Sequence, residues 1–117
     1  MGKKGVKTVN LEEGRPTADA AVKRLTFELR SSEKLGFSGL KLIHGYGSSG
    51  TGGRIRIEAR GYLERQLRAG KIRCFVTGEQ FSIFDETTRS LLALCPEFRG
   101  DHDLERHNNG VTFVALK

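Results

Sequence analysis

Apolar positions along this chain switch between strand-like and helix-like spacing, and the switches outline its elements. Val6, Val9 and Leu11 mark a short first strand, Val6 to Leu11, closed by the turn Glu13-Gly14-Arg15-Pro16. From Ala18 the apolar positions 18, 21, 22, 25 and 29 recur at helical spacing, which predicts a helix to about Lys34. Thr17 stands where an N-cap belongs, Asp19 suits the first turn, and Gly36 is a natural stop. Gly39 to His44 is an almost unbroken apolar run and reads as a central strand. A second helix is expected from about Gly53 to Arg68, with Ile55, Ala59, Tyr62, Leu63 and Leu67 as its buried stripe and Gly70 as its stop. Ile72 to Thr77 is a third strand. The resulting β-α-β-α-β order favours parallel strands joined by helical crossovers.

Residues 78–109 break that rhythm and read as an insertion. It holds a helix over Asp85 to Leu94, with Asp85 as N-cap and Pro96 beyond its end, then the polar run FRGDHDLERHNNG. Phe81 and Phe84 are expected to anchor the insertion to the core. Asp101-His102-Asp103 is expected to be a polar turn, because a hard cation wants oxygens from several places. Asn109-Gly110 signals a turn, and Gly110 to Leu116 closes the chain with a strand apolar on both faces. The expected architecture is an α/β two-layer sandwich carrying a helical insertion and a C-terminal strand. Residues 1–5 read as a loose basic tail and 6–117 as the domain.

The 117 residues suffice for one ordinary core and not two. A formal net charge of +6 points to an anionic partner such as a nucleic acid or a phosphate ligand. Cys74 and Cys95 form no disulfide framework, and Cys74 is expected to be a small buried apolar group. Without a signal-peptide run or a membrane-length apolar stretch, a cytoplasmic setting is expected.

The candidate chemistry lies in LKLIHGYGSSGTGGR, residues 40–54. A strand that ends in glycines and opens a helix makes an anion site, since the first helical N–H groups lack partners and the dipole favours negative charge. Gly45, Gly47 and Gly50 spell G-x-G-x-x-G, but the glycines continue through Gly52 and Gly53, too long for the tight dinucleotide turn. Thr51 follows Gly50 where a P-loop needs lysine. The helix beyond the loop discriminates better: from 53 to 73 there are seven basic residues against Glu58 and Glu64. Arg54, Arg56 and Arg60 fall in the first turns of the helix, and arginine forks match phosphate oxygens. The expected contact set is therefore Gly45, Tyr46, Gly47, Ser48, Ser49, Gly50, Thr51 and Gly52 with Arg54, Arg56 and Arg60. His44, at the lip of the loop, is a candidate general acid or base.

Ile43-His44-Gly45-Tyr46-Gly47, Thr51-Gly52 and Ile55-Arg56 resemble the I-H-G-x-G…T-G…L-R signature of the Smr (small MutS-related) domain family. Asn109-Gly110-Val111-Thr112-Phe113-Val114 is similar to that family's closing G-x-G-V-T-x-V. The resemblance spans about residues 6–117. It implies a sandwich like the C-terminal domain of a translation initiation factor. It also implies nucleic-acid binding and, in many members, nicking of DNA or RNA with or without a divalent metal ion such as Mg. The family's first strand usually ends L-D-L-H-G, whereas this one reads Val9-Asn10-Leu11-Glu12-Glu13-Gly14. Either Asn10 stands for the Asp and Glu12 for the His, or Glu12 for the Asp and Gly14 for the His. Neither alignment keeps the histidine.

The resemblance thus makes His44 and Glu12 the candidate catalytic residues of a phosphodiester-cutting endonuclease. The loop N–H groups with Arg56 or Arg60 would stabilise the pentacoordinate charge. Two other readings stand beside it: a nucleic-acid or ribonucleoprotein binding module of the same fold that does not cut, and a protein-interaction domain whose basic face docks an acidic partner. Phosphate contacts read neither base nor sugar, so DNA and RNA are not distinguished.

Overall fold

Eight elements follow one another in the computed structural model, which describes residues 5–46 and 51–117, with backbone alone at 51 and 52. They are β1 (Val6–Asn10), α1 (Ala18–Lys34), β2 (Gly39–Ile43), α2 (Thr51–Arg68), β3 (Ile72–Thr77), α3 (Glu86–Leu94), a 3-10 turn (Pro96–Gly100) and β4 (Val111–Leu116). The ends are set by local chemistry. Thr17 Oγ1 accepts from the Ala20 N–H at 3.1 Å and starts α1. Asp85 does the same for α3, accepting from the Thr88 N–H at 2.8 Å. Thr17→Ala should cost about 1 kcal/mol, the usual worth of an N-cap, measured by urea unfolding. Helix α2 begins at Thr51 rather than Gly53, and its buried stripe is Ile55, Ala59 and Leu63. Tyr62 is half-buried, and Leu67 lies on the exposed side near the frayed end.

The four strands form one sheet in the order β1-β2-β4-β3. β1 and β2 pair in parallel, with Asn10 opposite Ile43. β4 runs antiparallel to both β2 and β3. The first three strands therefore share one direction, as expected, but β3 does not pair with β2. The last strand takes the place between them. The physical reason is burial: every residue of β4 is buried, whereas β3 carries exposed Arg73 and suits an edge.

Helices α1 and α2 cover one face. Leu25 and Leu29 of α1, with Ile55, Ala59 and Leu63 of α2, pack on Leu40, Leu42, Val114 and Leu116. This is the two-layer core, and the insertion adds a layer on the opposite face. There Leu91, Leu92, Cys95 and Phe98 meet Val76, Val111, Phe113 and Ala115. Phe81 stacks on Phe113 with ring centroids 3.9 Å apart, and Phe98 meets it edge-on at 5.0 Å. Phe81 is thus the anchor that its place at the start of the insertion implies. Phe84 is not: it is 85% exposed, because the backbone turns outward ahead of the Asp85 cap. Cys74, near the sheet edge, is half-buried rather than buried.

Lys41 also faces this second layer. Its Nζ lies 3.0 Å from Asp101 Oδ1 and 2.7 Å from Asp103 Oδ2, and 5.6 Å from the Phe113 ring centre. Asp101 and Asp103 of this turn therefore form a largely buried ion pair with Lys41 that ties the insertion to the sheet, while His102 stays exposed. Among the described residues, no helix is long and apolar enough to cross a membrane.

Candidate functional site

Because β1, β2 and β3 share a direction, their C-terminal ends open on one edge of the sheet, where the incoming end of β4 joins them. Leu11 N–H donates to Ile43 O at 2.8 Å and holds the β1 and β2 exits side by side. The His44 and Gly45 N–H groups both donate to Gly110 O, at 3.0 and 3.1 Å. Gly45 has φ +72°, and a Cβ there would collide with the carboxylate of Glu12. The left-handed turn is what requires glycine here, since the Glu12 side chain could swing aside. Glu12 itself lies against Gly45 at the lip. Tyr46 is exposed, with its ring edge by Gly110.

His44 itself is fully buried. Its Nδ1 is 2.7 Å from Gly45 O, and its Nε2 is 2.8 Å from Thr112 Oγ1. Burial is the main reason its pKa falls to about 4; the Gly45 carbonyl opposes that shift, and the charges of Arg60 and Arg56 add to it. At neutral pH the ring is uncharged, and both nitrogens are engaged.

Arg60 lies across the same edge. Its Nε donates to Thr112 Oγ1 at 3.0 Å, and its two terminal nitrogens fork onto Glu79 at 3.0 and 2.8 Å. It also donates to Val111 O at 3.2 Å. Partial burial raises the Glu79 pKa, but the Arg60 fork outweighs it and holds the carboxyl below its ordinary value. Arg60 is therefore spent inside the protein. Arg54 and Arg56 differ: Arg54 is exposed, Arg56 half-buried, and neither makes an ion pair with any described residue. The Arg56 charge acts on both His44 and Glu79, which places it at this edge. The first turn of α2 holds no acidic residue.

Gly47, Ser48, Ser49 and Gly50 lie outside the described residues, as do the side chain of Thr51 and the surroundings of Gly52. In sequence Thr112 stands out only within Gly110-Val111-Thr112-Phe113-Val114, the stretch similar to the family's closing signature, and neither its contacts with His44 and Arg60 nor the Arg60–Glu79 fork follow from spacing.

A hard divalent cation needs several oxygens at once. At the lip Glu12 offers one carboxylate, since Glu13 pairs with Arg24 at 3.3 Å and Glu79 is held by Arg60. The cluster Asp101, His102 and Asp103 is the one grouping of ligand type among the described residues, and Lys41 Nζ sits on two of its members. The described residues do not assemble a site that fits Mg.

No protein-family model matches the sequence, and no curated protein matches it significantly. Among solved structures, the chain is similar to the Smr domain of Thermus thermophilus MutS2. The likeness covers 95% of this chain and 98% of that one, with a TM-score of 0.59 and 23% identity. It gives this chain the α/β fold of an Smr domain, in agreement with the resemblance carried by residues 43–56.

Proposed function

We propose that this Smr-fold chain binds nucleic acid, and that it grips the phosphate backbone at the edge where β1, β2 and β3 end. One observation carries the reading. Arg54 and Arg56, unpaired among the described residues, stand in the first two turns of α2, at the end of the helix where amide groups have no intrahelical partner. A phosphate at that edge meets the positive end of a dipole and two guanidinium forks. The net charge of +6 adds long-range attraction for a polyanion. The fold likeness to the Smr domain supports the same reading.

Binding is better supported than cutting. A general base needs an available lone pair, and both His44 nitrogens are already occupied in a buried ring. One observation favours a hydrolytic reading all the same: the Glu12 carboxylate rests against Gly45 at the lip, where it could take a proton from water.

The test is oligonucleotide binding followed against salt. Wild type should weaken steeply as salt rises, with a log–log slope near −0.9 per duplex phosphate neutralised. Arg54→Ala with Arg56→Ala should flatten that slope by about 2 and weaken binding about tenfold at low salt. A flat slope in the wild type would overturn the reading and leave the acidic-protein partner in its place. Nicking of supercoiled DNA and cleavage of RNA, with and without Mg, compare the wild type with Glu12→Gln. Cleavage abolished by that substitution would turn the binder into an enzyme.

A further inference from the structure

Arg60 and His44 look, in sequence, like a phosphate ligand and a base. Their surroundings give them another task. An arginine Nε–H can only donate, so Thr112 Oγ1 must accept at 3.0 Å. The hydroxyl has one proton left to give, and His44 Nε2 lies 2.8 Å away. At the other end Gly45 O, 2.7 Å from Nδ1, is a carbonyl and can only accept, so the ring proton sits on Nδ1 and Nε2 is bare. Donation therefore runs one way: Arg60 to Thr112, Thr112 to His44, His44 to Gly45.

We infer that Arg60 is a positioning residue: through Thr112 it fixes the His44 ring, and His44 fixes the turn at Gly45 from which the Gly-rich loop departs. The anchor of the relay is Glu79, which forks onto the far side of the guanidinium at 3.0 and 2.8 Å. The exits of β2 and β3, the entry of β4 and the third turn of α2 are tied together by four side chains. Each resides on a separate element or loop, so the relay sets the relative position of the pieces that frame the edge. Its effect on ligands rests on the nucleic-acid reading above, whereas the relay itself rests on the hydrogen bonds alone.

Imidazole nitrogen NMR reads the relay directly, and oligonucleotide binding against salt reads its consequence. In the wild type at pH 7, His44 should show one tautomer, protonated at Nδ1. Thr112→Val should keep that tautomer, because Gly45 O still accepts from Nδ1, but move the Nε2 resonance toward that of a nitrogen accepting no hydrogen bond. Thr112→Ser should return it to the wild-type position. Arg60→Lys keeps the charge but not the fork, and should move the Nε2 resonance in the same direction. Both Thr112→Val and Arg60→Lys should weaken binding about fivefold, the worth of one net hydrogen bond, with the salt slope unchanged. An Nε2 resonance unchanged in both variants overturns the relay. A slope that falls by about 0.9 in Arg60→Ala, as for a lost phosphate contact, overturns the positioning role. A wild type that binds no oligonucleotide overturns the nucleic-acid reading, and the Nε2 resonance then decides the relay alone.

Discussion

Lys41→Met should destabilise the protein by about 3–5 kcal/mol, the usual cost of stranding a buried charge. The ammonium and both its partners are largely out of water: the side chains of Lys41, Asp101 and Asp103 are 8%, 15% and 7% exposed. Burial alone would lower the lysine pKa, but its hydrogen bonds to Asp103 and Asp101 and their charges together outweigh it and raise the value. Burial would likewise raise Asp103, and the Lys41 contact holds it low instead. Each charge is therefore stable only because of the other. Removing the lysine leaves two carboxylates facing each other over the Phe113 ring. The accompanying test is Lys41→Met with Asp101→Asn and Asp103→Asn. With no charge left to strand, most of the lost stability should return, because Asn can still accept from the Asp103-position N–H and meet Asn108. Urea unfolding of the two variants decides it. Equal stability of Lys41→Met and wild type would show that water reaches the cluster freely.

Lys41 also marks the limit of what the sequence made legible. Helix α1 and the cap of α3 were readable because Thr17, Gly36 and Asp85 act on backbone within four residues. The Gly45 turn was readable for the same reason. Lys41 was not, because its partners lie 60 residues away and an apolar run with one lysine reads simply as a strand. The place of β4 was hidden in a similar way: spacing shows that Gly110 to Leu116 is a strand but not which neighbours it takes. Arg56 and Arg60 stand one helical turn apart with the same side chain. Glu79 and Thr112, brought in by β3 and β4, make one of them internal and leave the other available.

The second large effect is on pH. Stability should fall by about 2 kcal/mol between pH 7 and pH 5, and His44 should account for most of the loss. In the unfolded chain the imidazole titrates near 6.5, and in the folded protein near 4. Between those values the unfolded state binds a proton that the folded state refuses, so stability rises with pH across the window. The contribution is complete above about 6.5 and disappears as pH falls toward about 4. Glu79 and Asp103, both held below their ordinary pKa by Arg60 and Lys41 against the effect of burial, stay ionised through most of this range. The charges facing the ring resist its protonation on balance: Arg60 and Arg56 oppose it and Glu79 favours it less strongly. Protonation would also put a proton on Nε2, where the Thr112 hydroxyl already points its own. His44→Gln should therefore show a much flatter profile between pH 7 and pH 5 by urea unfolding. The same steep loss in that variant would place the titrating group elsewhere and remove the argument for a buried neutral ring.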